Sequence, residues 1–128
     1  MTGEVSIKPF YLIDRGDPAA ADFAIGAFTI DGAYHDLDLS AVVPTNARWV
    51  YVKIVLLNNA DGVNIALRTK SNSNTGNTLT QNTQNANFTV YLDGFIYIDP
   101  ANPQTIQYNV VNVGVWTTVS LIVRGWAI

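Results

Sequence analysis

The sequence predicts an all-β protein, a single antiparallel β-sandwich built as a jelly roll of about eight strands. Apolar and polar residues alternate with a period of two in several short segments, and no helical period extends beyond a turn or two. Turn residues separate these segments, including Pro44-Thr45-Asn46 and three Asp-Gly pairs. An immunoglobulin-like sandwich is the alternative architecture. The three Asp-Gly pairs named above as turns are Asp31-Gly32, Asp61-Gly62 and Asp93-Gly94.

The segment from Arg48 to Leu57 predicts the central strand. Four aliphatic residues recur at every second position and define a core-facing side: Val50, Val52, Ile54 and Leu56. Trp49, Tyr51 and Val55 lie on the other face. β-branched and aromatic residues dominate the segment, as is typical of a pleated surface packed on one side.

Residues 1–22 are predicted to form an extended N-terminal arm, and residues 23–128 the sandwich domain. Phe10, Tyr11, Leu12 and Ile13 are too apolar for a free tail. The arm is therefore either a first edge strand followed by a loop or a segment that docks on another subunit. An Arg-Gly-Asp triplet at residues 15–17 matches an integrin-binding motif, although three residues recur often by chance.

Further strands are predicted on both sides of the central one. Residues 23–30 and 34–39 read as strands joined by the Asp31-Gly32 turn, and residues 88–92 and 95–99 as a hairpin around Asp93-Gly94. Residues 63–68 and 105–111 follow other turns. In the last strand, Val119, Leu121 and Val123 share one face, and Ser120, Ile122, Arg124 and Trp126 share the other.

Residues 69–87 consist almost entirely of amides, hydroxyls and glycine, with one leucine. Such a segment cannot bury enough apolar area for a core strand, which predicts a long loop. Amides and hydroxyls donate to and accept from sugar hydroxyls, so Asn74, Asn77 and Gln81, with Trp116, are candidate glycan contacts. A loop without a ligand is the alternative.

Composition argues against several functional classes. Without cysteine, disulfides and thiolate chemistry are impossible, and a net charge of −3 without a Lys/Arg run argues against nucleic-acid binding. No apolar span is long enough for a membrane helix, and MTGEVSIKPF lacks the apolar run of a signal peptide, which predicts synthesis in the cytoplasm.

The single histidine, His35, neighbours Asp36 on the opposite face of a strand, so no catalytic dyad is expected. We predict no enzyme activity, cofactor or metal.

Aromatic residues offer a binding surface instead. Trp49, Tyr51, Trp116 and Trp126 are predicted on or near the mixed faces of strands, where they stack on sugar rings, contact another subunit or form a second inner face of the sandwich. Apolar neighbours such as Val55 and Ile122 favour a subunit contact. The predicted subunit or capsid contacts are Phe10, Tyr11, Leu12, Ile13, Trp49, Tyr51 and Trp126.

Three segments of the chain carry a family resemblance. They are Asp38-Leu39-Ser40-Ala41-Val42-Val43-Pro44, the strand from Ala47 to Ile54, and the terminal Leu121–Trp126 segment. Together they resemble a small β-sandwich domain of bacteriophage virion proteins. Such domains occur as capsid decoration, head-fibre and fibre-end modules. The resemblance implies a trimeric jelly roll on the virion surface, with the major capsid protein or another virion protein as partner. Only residues 1–22 precede the domain, which favours a decoration protein. The alternative is a fibre module that binds carbohydrate or a receptor, with a host surface glycan as a possible partner.

Overall fold

The computed structural model describes residues 11–128, which form eight strands and two single 3-10 turns, at Ile25–Ala27 and Thr75–Asn77. Within that range, no helix is long and apolar enough to cross a membrane. The strands are β1 (Leu12–Asp14), β2 (His35–Asp38), β3 (Trp49–Asn58), β4 (Asn64–Thr69), β5 (Leu79–Asn82), β6 (Val90–Tyr97), β7 (Thr105–Val110) and β8 (Trp116–Ala127).

The strands pair in the order of a jelly roll. One sheet runs β1-β8-β3-β6 and the other β2-β7-β4-β5, with every pairing antiparallel. First pairs with last, second with seventh, third with sixth and fourth with fifth, so the chain is a long hairpin rolled into two sheets. The predicted all-β jelly roll is confirmed.

The core lies between the sheets and depends on alternation in the central strands. Val50, Val52, Ile54 and Leu56 of β3 are completely buried, as predicted. Val52, Ile54 and Leu56 lie opposite three residues of β8 that are also completely buried: Val123, Leu121 and Val119. Burying such side chains is worth about 1.5–3 kcal/mol each. The pairing of β3 with β8 therefore anchors the sandwich.

The segment that joins β2 to β3 closes one end of the sandwich. Leu39 and Val43 are buried there, and Asp38 Oδ1 accepts a hydrogen bond from the backbone N–H of Ser40 at 2.9 Å. The side-chain amide of Gln104 donates to the carbonyl of Val43 at 2.7 Å. The Asp-Leu-Ser motif is thus a turn that plugs the core and sets the start of β3.

The predicted Asp-Gly hairpins are wrong. Gly32 and Gly62 do adopt positive φ in turns, but the Gly62 turn carries the chain from one sheet to the other, because β3 and β4 do not pair. Gly94 lies inside β6, opposite Val52, with no turn. A side chain at position 94 would collide with Leu79, which packs against the glycine. Glycine serves close packing there.

Two segments differ from their predicted secondary structure. Residues 23–30 are not a strand: Phe23 makes one isolated bridge to Leu121, and a 3-10 turn follows. Conversely, the predicted loop at 69–87 contains the edge strand β5, which pairs with β4. Its single leucine, Leu79, supplies the inward contact that lets a polar segment join the sheet.

A β-bulge reverses the faces of the last strand. Tyr51 lies opposite Gly125, whereas Val52 lies opposite Val123, so Arg124 is an extra residue in β8. Beyond it, Trp126 lies opposite Val50 and packs against the core. The prediction that Trp126 shares a face with Arg124 is wrong, because alternation holds only up to the bulge.

Candidate binding surface

Aromatic side chains form a ladder on the outer face of the β1-β8-β3-β6 sheet. On this face Trp49 lies opposite Tyr97, Tyr51 opposite Phe95 and Val55 opposite Tyr91. The rings of Tyr51 and Phe95 stack with centroids 4.6 Å apart, and those of Trp49 and Tyr97 meet edge to face at 5.2 Å. Such pairs stabilise a sheet by about 0.5–1.5 kcal/mol beyond area burial. We call Trp49, Tyr51, Tyr91, Phe95 and Tyr97 the aromatic ladder.

The aromatic ladder remains open to solvent. Tyr91 is 60% exposed, Phe95 46%, and Trp49 and Tyr97 38% each. Three charged groups lie among the rings: Lys53, Arg124 and Asp93. Lys53 lies over Tyr91 and Arg124 over Tyr51, and Arg124 also forms an ion pair with Asp93 at 3.2 Å. Asp93 compensates the charge of Arg124, Lys53 leaves one positive charge, and the rest of the surface is mainly apolar and aromatic.

The arm is held to the edge of this sheet. Tyr11 and Ile128 exchange two backbone hydrogen bonds, and β1 pairs with the end of β8. Asp22 accepts hydrogen bonds from the Arg15 guanidinium and from the backbone N–H of Val123, the latter at 2.8 Å. This ion pair raises the pKa of Arg15. Because Arg15 is bound to Asp22, the Arg-Gly-Asp triplet presents no free arginine to a receptor.

Two shallow grooves lie between the arm and the sheet. One, of about 350 Å³, opens between β1 and Tyr51, where Gly125 lacks a side chain. The other, of about 400 Å³, lies under residues 17–21 and beside Lys53 and Ile122. Arg124 lines both. These grooves extend the surface of the aromatic ladder to the edge formed by the arm.

A third groove, of about 190 Å³, lies at the opposite edge, between the ladder and the loop that follows β4. Trp49, Phe95 and Tyr97 line one side, and Asn72 and Asn77 line the other. Leu67 and Ile96 form its buried floor. The loop is fixed near β6 because the Thr69 hydroxyl donates to the carbonyl of Tyr97 at 2.7 Å.

The predicted contact residues are only partly brought together. Phe10 lies outside the described residues. Tyr11 and Leu12 are exposed at the arm edge, and Ile13 is half-buried opposite Trp126. Trp49 and Tyr51 belong to the aromatic ladder, whereas Trp126 faces inward and its indole N–H is buried without a hydrogen-bond partner among residues 11–128. The basis for placing Trp126 on a contact surface is therefore lost.

The candidate glycan contacts are dispersed. Asn77 lines the third groove, Asn74 is exposed in the same loop, and Gln81 lies in β5, half-buried. Trp116 is only 8% exposed, and its Nε1 donates to the carbonyl of Val111 at 2.8 Å. It pairs with Asn58, at the other end of β3 from Trp49. The structure therefore does not bring Trp116 together with Asn77 in one site.

Three rings of the aromatic ladder were missed in sequence: Tyr91, Phe95 and Tyr97. Their spacing of two and four residues carries the signal of one exposed strand face. The prediction of a turn at Asp93-Gly94 divided this alternating segment into two short strands. Reading β6 as continuous would have placed all three rings on one face.

The polar residues considered for chemistry make surface contacts. His35 Nε2 lies 2.8 Å from a carboxylate oxygen of Asp31, and both groups are exposed. The Lys70 ammonium and the Gln107 amide, both hydrogen-bonded to Asp36, hold the pKa of that carboxyl below its usual value. Within residues 11–128, no three histidine or acidic side chains cluster in a way that could hold a metal ion.

Fold and surface together define a jelly-roll β-sandwich with an exposed aromatic face and a polar loop at its edge. No protein-family model and no curated protein matches the chain.

Proposed function

We propose that the chain is a structural virion protein, a bacteriophage capsid decoration protein that assembles as a homotrimer on the particle surface. The partner is the major capsid protein or another virion protein. The observation that carries the proposal is the aromatic ladder, a row of large exposed rings on one face of a rigid sheet.

The composition of the ladder supports a contact between proteins. The cores of protein interfaces are enriched in tyrosine, tryptophan, phenylalanine and arginine and depleted in lysine and acidic residues. The ladder matches the enrichment in aromatic residues and arginine, with Arg124 over Tyr51, and differs from the pattern in having Lys53 and Asp93 among the rings. Tyrosine and tryptophan also dominate the residues that contribute most to binding. Burying rings of the ladder against a second copy removes exposed apolar surface from water, which favours association.

The fold and the sequence motif support the proposal that the chain belongs to a virion. Jelly rolls are common in viral capsid domains, although a fold alone does not fix function. The Asp-Leu-Ser motif, on which the resemblance to phage virion domains rests, forms the plug that starts β3 and so positions Trp49 and Tyr51.

A pelleting assay tests the capsid contact. Purified chain is mixed with shells assembled from the major capsid protein of the phage that encodes it, and the bound fraction is measured after sedimentation. We expect saturable binding at a fixed number of copies per shell. Chain that stays in the supernatant with intact shells at micromolar concentration would rule out decoration.

A further inference from the structure

We propose that the groove between the aromatic ladder and the loop after β4 is a carbohydrate site that takes one neutral sugar unit. The groove lies at one end of the ladder and shares Trp49, Phe95 and Tyr97 with it, so this inference requires the proposed subunit contact to leave that end of the ladder open. Trp49 and Tyr97 form the last pair of rings, three pairs along the strands from Tyr91.

The aromatic side of the groove supplies an apolar platform. Trp49 and Tyr97 meet edge to face, and each keeps more than a third of its surface exposed. An exposed ring face packs well against the C–H groups on one face of a pyranose, while the edges of the sugar remain free for hydrogen bonds. Leu67 and Ile96 below exclude water from the floor.

The loop side supplies unused hydrogen-bonding groups. Asn72 and Asn77 each carry an amide that can donate twice and accept twice, and the structure gives neither side chain a bond to another described residue. The loop backbone is nevertheless ordered by its own bonds, from Asn72 N–H to Thr69 and from Asn77 N–H to Asn74. A bonded loop backbone keeps both residues beside the rings, so only the side-chain conformations of the two amides have to be fixed when a sugar hydroxyl binds.

Charge distinguishes the class of ligand. None of the described residues that line this groove is charged, whereas the two grooves beside the arm include Arg124 and acidic groups. A site without charge gives no advantage to phosphates, sialic acids or uronic acids. The geometry therefore favours a neutral hexose or N-acetylhexosamine.

Nitrogen-15 NMR of the intact chain tests this inference. The probes are the methyl glycosides of glucose, galactose, mannose and N-acetylglucosamine. We expect at least one of them to shift the Trp49 indole N–H and the side-chain amides of Asn72 and Asn77 in a saturable manner. The Trp116 indole N–H, which is bonded to Val111, serves as an internal control and should not move.

Variants identify the contacts. Asn77→Ala should weaken binding about threefold to tenfold, and Trp49→Ala by at least about tenfold. Asn85→Ala removes an exposed amide elsewhere and should leave the affinity unchanged. The site is refuted if no glycoside produces saturable shifts, or if Asn77→Ala and Asn85→Ala bind equally well.

The same variants separate this site from the proposed assembly. Asn77→Ala should leave the oligomer mass unchanged, and Tyr91→Ser, at the far end of the ladder, should leave the sugar-induced shifts in place. If both variants alter both readouts, the groove and the subunit contact are one surface and the assignment of a separate sugar site is wrong.

Discussion

At the scale of single residues, the pair formed by Arg15 and Asp22 fixes the arm to the sandwich. Asp22 is nearly buried and accepts from two donors, the Arg15 guanidinium and the Val123 N–H. Arg15 also donates to the Val123 carbonyl at 3.1 Å. These bonds satisfy the backbone of β8 next to its bulge, where regular pairing is interrupted.

Asp22→Ala should lower the free energy of unfolding by about 1–3 kcal/mol, because it leaves the Val123 N–H and the Arg15 guanidinium without their acceptor. Urea denaturation measures the change. Asp17→Ala, in the same loop, is the matched control and should stay within about 0.5 kcal/mol of the unmodified chain. Equal effects of the two substitutions would show that the loop, rather than the pair, determines the loss.

Single residues were the hardest features to predict. The partner of Arg15 lies seven positions along the chain and depends on a bulge that no local pattern announces. The burial of Trp116 likewise depends on where β8 begins after the 112–115 turn. The sequence does not show whether a tryptophan at the end of a strand faces the core or a ligand. The inward strand residues were predictable because alternation alone determines them.

At the scale of elements, the bulge in β8 determines both the edge of the sheet and the shape of the surface. The extra residue, Arg124, places its guanidinium over Tyr51, while Gly125 lets β1 approach closely. A Cβ at position 125 would collide with the backbone carbonyl of Ile13. Glycine is therefore required by backbone contact rather than by its own dihedral angles.

Gly125→Ala should cost about 1–3 kcal/mol and displace β1, because a backbone carbonyl cannot rotate away as a side chain can. Amide hydrogen exchange should become faster at Arg15 and Ile128, whose N–H groups bond across this junction. Gly94→Ala is the control: its new methyl group meets the side chain of Leu79, so any cost should leave Arg15 and Ile128 protected. Unchanged exchange at both amides in Gly125→Ala would contradict this role of the bulge.

Elements were predicted well where alternation was long and poorly where glycine interrupted it. Strand β3 was placed correctly, since ten residues alternate without interruption. Strand β6 was divided at Asp93-Gly94, because the same dipeptide serves tight turns and close packing inside strands. Strand β5 was missed because its polar sequence joins the sheet through backbone bonds and the single side chain of Leu79.

At the scale of the whole molecule, the jelly roll explains why nearly every turn crosses between sheets. Only β4 and β5 are both consecutive and paired, so short-range hairpin signals were misleading even though the fold class was predicted. The same topology places β3 beside β6 across a long sequence separation. It thereby assembles the aromatic ladder from two segments whose connection the sequence alone did not reveal.

The central claim, that the aromatic ladder joins copies of the chain, is tested most directly by solution mass. Light scattering coupled to size exclusion is compared for the unmodified chain, the Tyr91→Ser/Phe95→Ser double variant and Phe88→Ser, whose ring is as exposed but lies outside the ladder. We predict three times the chain mass for the unmodified protein and Phe88→Ser at micromolar concentration, and a monomer for the folded double variant. A monomeric unmodified chain, or a double variant that keeps the full oligomer mass, would contradict the claim.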